Sequence, residues 1–139
     1  MHCQRSHIEQ ALHQAFLTAT LLTANLGRAE NAVTETIRLR NPGESLDPLL
    51  FRQAIKASTE GERDTAAEDL GEVLAAVPEE LRGVVRLPEP LRHCFVLRML
   101  SGLSREKCAE LLDRTISEID AYTCSAIENL SYSLVPLAV

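Results

Sequence analysis

Leu103-Ser-Arg-Glu-Lys-Cys-Ala-Glu-Leu-Leu-Asp-Arg-Thr-Ile-Ser-Glu-Ile-Asp-Ala-Tyr-Thr-Cys-Ser-Ala-Ile-Glu-Asn-Leu130 is the stretch on which the reading of this chain turns. Ser104 stands where a helix N-cap belongs, and the helix it opens runs to about Asp113. Thr115-Ile-Ser-Glu118 is a capping box, in which each end residue can satisfy the other's orphan backbone N–H. It starts a final helix that can reach Val135. Two helices joined by so short a turn form a helix-turn-helix pattern, the motif that lays its second helix in the DNA major groove. Yet no lysine or arginine follows Arg114, and between Thr115 and Ser131 there are three acids (Glu118, Asp120, Glu128) and no base. The scaffold and its charge point in opposite directions.

Upstream of this stretch, Pro88-Glu-Pro90 starts a helix that ends near Ser101-Gly102. Further back the chain turns acidic. From Ser58 to Glu80 there are eight acids against one base, Arg63, a net of −7. Ser58 to Asp64 reads as a solvated linker, and Leu70, Val73, Leu74 and Val77 predict a helix after it. A charge run of this kind is usually a solvated face; the alternative is an acidic segment lying against a basic partner.

The N-terminal part repeats the helical pattern. Ser6-His-Ile-Glu9 is a capping box, and Ile8, Leu12, Ala15, Phe16, Ala19, Leu22 and Leu26 follow at helical spacing. Gly27 is the expected left-handed stop. A second helix is predicted from Arg28 to Leu39 with Ala32, Val33 and Ile37 as its apolar stripe, broken by Asn41-Pro-Gly43. Asp47-Pro48 caps a third, over 48–59. With no strand pattern anywhere, the expected fold is all-α: two small helical bundles, the C-terminal one containing the helix-turn-helix. The expected divisions are 1–59, an acidic linker and helix at 60–80, and 81–139.

Composition narrows the function classes. With 139 residues, 45% of them apolar and 24% charged, the chain has the makeup of a globular protein rather than a disordered one. A net charge of −6 argues against a surface that attracts phosphate everywhere. No apolar run is long enough to span a bilayer and no signal-peptide pattern opens the chain, so a cytoplasmic protein without membrane contact is expected. Cys3, Cys94, Cys108 and Cys124 form no C-x-x-C pair. Cys94 and Cys108 fall within apolar stripes and read as buried thiols. Cys3 and His7, a helical turn apart with His2 and His13 nearby, are too few ligands to argue for a metal. His93 and Cys94, being adjacent, project from different helix faces, so no catalytic dyad is read and no enzyme or cofactor is expected.

The residues from Leu87-Pro-Glu-Pro through Gly102-Leu-Ser104, Glu106 and Ala109-Glu-Leu-Leu112 resemble region four of the bacterial RNA polymerase sigma factors of the ECF type. The likeness runs without a gap to Leu130. Gly27-Arg-Ala-Glu-Asn-Ala-Val-Thr-Glu35 is similar to the element of region two that, in that family, grips the polymerase clamp, with Ala29, Glu30, Ala32, Val33 and Glu35 matching. The resemblance implies a DNA-binding role for Thr115, Ser117, Glu118, Asp120, Ala121, Tyr122 and Ser125. It implies a polymerase-binding role for Glu30, Val33 and Glu35.

Two departures qualify what the resemblance implies. Positions that often carry bases in the family's last helix hold Asp120, Tyr122, Ser125, Ile127 and Asn129 here. Cations on phosphate supply much of any DNA affinity, each contact adding about 0.9 to the salt slope of log K, so this helix should bind DNA weakly. Ser117, Asn129 or Glu118 could read base edges, but such contacts specify within a grip that the phosphates provide. The family also stacks flipped bases on aromatic side chains. This chain has no Trp; Phe16 and Phe95 sit on apolar stripes, which leaves Phe51, beside Arg52 and Lys56, for that task. Autonomous promoter melting is not expected.

The expected function is therefore a sigma-like regulator of transcription initiation with RNA polymerase core as its partner and with promoter binding weakened by charge. The alternative is a degenerate sigma-like interaction module that holds polymerase, an anti-sigma-like regulator or a second copy of itself. For the homodimer, Tyr122, Ile127 and the Leu134 to Val139 tail would supply apolar surface; the competing expectation buries Ile127, Leu130 and Leu134 against the preceding helices.

Overall fold

A computed structural model describes residues 2–41, 43, 47–59 and 70–134, with side chains over 9–41, 43, 47–59 and 71–131. Among the described residues every regular element is helical. In order these are α1 (His2–Thr23), α2 (Leu26–Leu39), α3 (Asp47–Thr59), α4 (Leu70–Ala76), a 3-10 turn (Glu79–Leu81), α5 (Arg82–Val85), α6 (Glu89–Phe95) continued by a π-helical segment (Val96–Leu100), α7 (Arg105–Leu112) and α8 (Ile116–Leu134). The fold is all-α. The chain divides into two compact units, Met1–Val77 and Pro78–Val139.

In the first unit α1, α2 and α3 each pack against the other two. Ala19 and Leu22 of α1, Ala29 and Ala32 of α2, and Leu50 and Ala54 of α3 are all buried. So many alanines at the contacts let the helix backbones approach closely, and each buried leucine contributes about 1.5–3 kcal/mol relative to exposure. The buried set also contains Thr20, Thr23 and Thr36. Each hydroxyl donates to the carbonyl four residues back: Thr20 to Phe16 (2.7 Å), Thr23 to Ala19 (2.8 Å) and Thr36 to Ala32 (2.7 Å). A threonine satisfied this way presents only its methyl to the core. In α4, Val73 and Val77 are buried.

Several sequence expectations for this unit are corrected. The helix already runs from His2, so Ser6 lies inside it and not at its cap. Gly27 is not the stop: it sits in the first turn of α2, while the left-handed residue is Ala24, at φ 53°. The core face of α2 is Ala29, Ala32 and Thr36, and Ile37 is 48% exposed. Phe51 is buried and cannot stack on a base, whereas Phe16 is half-buried. The third helix includes Asp47 within its first turn, where a carboxylate favours the helix dipole. The 60–69 part of the acidic linker, and the side chains of Cys3 and His7, lie outside the described residues.

The second unit is built on α6 packed against α8, with α5 and α7 also touching α8. Val84, Val85, Leu87, Cys94, Val96, Leu97, Cys108, Ile119 and Ala126 form its core. At Gly83 a Cβ would stand 3.2 Å from Leu130 Cδ2, so the bare backbone lets α5 lie close to α8. The π-helical segment closes with the Ser101 N–H on the Val96 carbonyl (2.9 Å), and the Leu103 N–H returns to Leu97 (2.9 Å). Gly102, at φ 75°, supplies the left-handed residue that this closure requires. Phe95, expected in the core, is half-buried. Ile127 is 40% exposed instead of buried, and Leu130 is half-buried. The side chains of Leu134 to Val139 lie outside the described residues.

Candidate nucleic-acid interface

Local hydrogen bonding sets the α7–α8 corner. Ser104 caps α7 by accepting the Lys107 N–H on Oγ at 3.1 Å. The helix ends at Asp113, which takes φ 55° and ψ 51°, and the Arg114 N–H returns to the Ala109 carbonyl. The capping box then forms in both directions. The Glu118 N–H donates to Thr115 Oγ1 and the Thr115 N–H donates to Glu118 Oε1, each at 3.1 Å. The Thr115 backbone and hydroxyl, and then Arg114, hold the Glu118 carboxyl below its ordinary range.

This corner fixes which side of α8 is covered. Ile119, Thr123 and Ala126 face the core, and the Thr123 hydroxyl donates to the Ile119 carbonyl at 2.7 Å. The opposite side presents Ser117, Ala121, Cys124 and Glu128, all exposed, with Ser125 half-exposed beside them. Apart from Glu128, the crest is small and uncharged. Of the residues expected to meet DNA, Ser117, Ala121 and Ser125 lie on this crest, and Thr115 is exposed at its start. Glu118 and Tyr122 occupy one flank and Asp120 the other: two residues apart, Glu118 and Asp120 stand roughly 200° apart around the helix.

Each flank carries an arginine from outside α8. Arg105 Nη1, from the start of α7, donates to Asp120 Oδ2 at 2.9 Å. Arg114 Nη1, from the turn, donates to Glu118 Oε2 at 3.2 Å and lies 3.3 Å from the Tyr122 hydroxyl. Its guanidinium carbon sits 5.0 Å from the centre of the Tyr122 ring. The acids of α8 are thus partly neutralised by bases that precede it. Counting charges along α8 alone missed both. The Arg114–Glu118 pair, four residues apart across the start of α8, was the more readable of the two because it is local in sequence. Arg105 and Asp120 are 15 residues apart and meet only once the two helices have folded back. With half-exposed side chains, the Arg105–Asp120 pair contributes about 0–1 kcal/mol.

The expected polymerase-binding residues do not form one patch. Glu30 is exposed and Val33 half-buried one turn later, on the side of α2 that also carries exposed Ile37. Glu35 turns to another side of the helix, where Arg38 grips it at 2.7 Å and, with Lys56 nearby, keeps its carboxyl below the ordinary range. Among the described residues no group of His, Cys, Asp and Glu is arranged to hold a metal ion, and no helix is long and apolar enough to cross a membrane. In comparisons with protein-family models, curated proteins and solved structures, nothing matches the chain.

Proposed function

We propose that the chain is a sigma-factor-like regulator of transcription initiation whose C-terminal helix-turn-helix touches duplex DNA weakly. The observation that carries this reading is the doubly capped α7–α8 corner, which turns the Ser117–Ala121–Ser125 crest of α8 to solvent. The major groove, about 12 Å wide, admits an α-helix whose outward face is free of other elements. The crest meets that condition. The weakness follows from charge: α8 offers no cation of its own, and two of its acids occupy the nearest arginines. Polymerase core, met through the Glu30 and Val33 side of α2, is the proposed main anchor, and a cytoplasmic location belongs to the same proposal.

Fluorescence anisotropy of a labelled mixed-sequence duplex tests it. Binding is expected at about 50 mM salt with dissociation constants in the tens of micromolar, fading by about 200 mM. No binding at about 100 μM protein and low salt overturns it. A second reading, a protein-interaction module without DNA contact, draws on exposed Met99, Leu100, Ile116 and Ile127 in the same unit. Pull-down of core polymerase by a chain that ignores DNA would favour it.

A further inference from the structure

We propose that Arg105 and Arg114 are the phosphate-contacting residues of the C-terminal unit, and that Asp120 and Glu118 occupy them in the free chain as stand-ins for the backbone of duplex DNA. This rests on the proposed reading of α8 as the groove helix and supplies the cations that reading lacks. A helix in a major groove is bordered by a row of phosphates on each side. Cations that neutralise those rows belong on the two flanks of the helix, not on its crest. Arg105 stands on the Asp120 flank and Arg114 on the Glu118 flank, with the small crest residues between them.

The chemistry of the swap is direct. A guanidinium binds carboxylate and phosphate through the same N–H fork, so each acid competes with a phosphate oxygen for its arginine. Both pairs are solvent-accessible, with side-chain exposures of 51% and 45% for Arg105 and Asp120 and 36% and 43% for Arg114 and Glu118. Water can therefore enter and the partners can exchange without opening the core. When an arginine turns to DNA, however, the carboxylate it leaves behind remains beside the phosphates and repels them. Affinity is held down twice, by occupied cations and by the acids that occupy them.

Replacing the acids while keeping the fold tests the assignment. Glu118→Gln retains an acceptor for the Thr115 N–H, and Asp120→Ala places the best helix former at a surface position. The E118Q/D120A protein is expected to bind the mixed-sequence duplex at least about fivefold tighter than wild type at about 50 mM salt, with a salt slope steeper by up to about 1.8, the share of two phosphate contacts. Adding R105A and R114A should cancel the gain. The E79Q/E80Q protein, with the same change of net charge at the exposed 3-10 turn, should move affinity less than about twofold. Should the double variant fold poorly, D120A alone should give part of the gain, and R105A should remove that part. The assignment is overturned if wild type and E118Q/D120A bind equally, if the E79Q/E80Q control gains as much, or if the gain survives loss of both arginines. Absence of binding by every variant at about 100 μM would remove the DNA reading itself, a different failure from the first three.

Discussion

The two units each turn a helix back through a left-handed residue followed by a side-chain cap, yet the settings differ. At the α1–α2 corner the left-handed residue is Ala24, and Asn25 Oδ1 accepts the Arg28 N–H at 2.9 Å. At the α7–α8 corner it is Asp113, and Thr115 Oγ1 accepts the Glu118 N–H at 3.1 Å. The first corner is anchored in the core: Thr23 and Asn25 are both buried, and Thr23 Oγ1 accepts the Asn25 N–H at 3.3 Å. The second is exposed from Asp113 to Ser117. The same local device thus serves as a core element in one unit and as a presenting surface in the other. What differs is whether water can replace a lost cap.

The sharpest way to break this comparison is to remove both caps. Asn25→Ala should lower the local stability of α2 by about 2 kcal/mol, because the buried Asn25 side chain is lost from the core edge and the part-buried Arg28 N–H loses its acceptor where water has less access. Thr115→Ala should lower that of α8 by only about 0.5–1 kcal/mol, since water reaches the freed groups. Residue-resolved amide hydrogen exchange reads each unit by itself. Equal losses at the two corners would show that burial is not what separates them.

A smaller effect comes from the left-handed residues. Ala24→Gly and Asp113→Gly should each stabilise by about 0.5–1 kcal/mol, the relief of a crowded Cβ less the added freedom of glycine in the unfolded chain. A loss at either position in urea unfolding would mean that the side chain there contributes more than its backbone strain takes away.

The smallest expected effect is one of pH. The Glu118 carboxyl is held below its ordinary value of 4.5. A depressed carboxylate stabilises the folded state fully above the unfolded value and loses that contribution as pH falls through the lower folded value. Amide protection at the start of α8 should therefore be flat above about pH 5, decline below 4.5, and become flat throughout in Glu118→Gln. Asn25 carries no charge, so protection at the start of α2 should show no such decline. A parallel decline there would point to a cause shared by both corners.

The all-α fold was legible because it is written in local signals. Ser104 and the Thr115–Glu118 box cap their helices in the structure as their spacing predicts. Errors arose where one local signal had a competitor nearby. Gly27 looked like a stop, but Asn25 two residues earlier makes the cap, which pushes the reversal back onto Ala24. Ile37 looked like core, but the α2 helix turns Thr36 inward, since that hydroxyl is satisfied at Ala32. At the candidate site the crest residues of α8 were readable from helical spacing. The Arg105–Asp120 pair was not, because nothing in the sequence joins residues that only the folded corner brings together.

The thiols of the second unit give its surface a built-in reporter. Cys94 and Cys108 are buried, and burial pushes the Cys94 thiol up to about 11, so it holds almost no thiolate near neutral pH. Burial raises Cys108 in the same direction. Cys124 is exposed on the crest of α8, between Ala121 and Glu128. With Cys3 replaced by serine, alkylation of the native fold becomes a footprint of that crest. Whatever lies along α8, nucleic acid or protein, must slow the modification of one sulfur atom by the fraction of time it is bound.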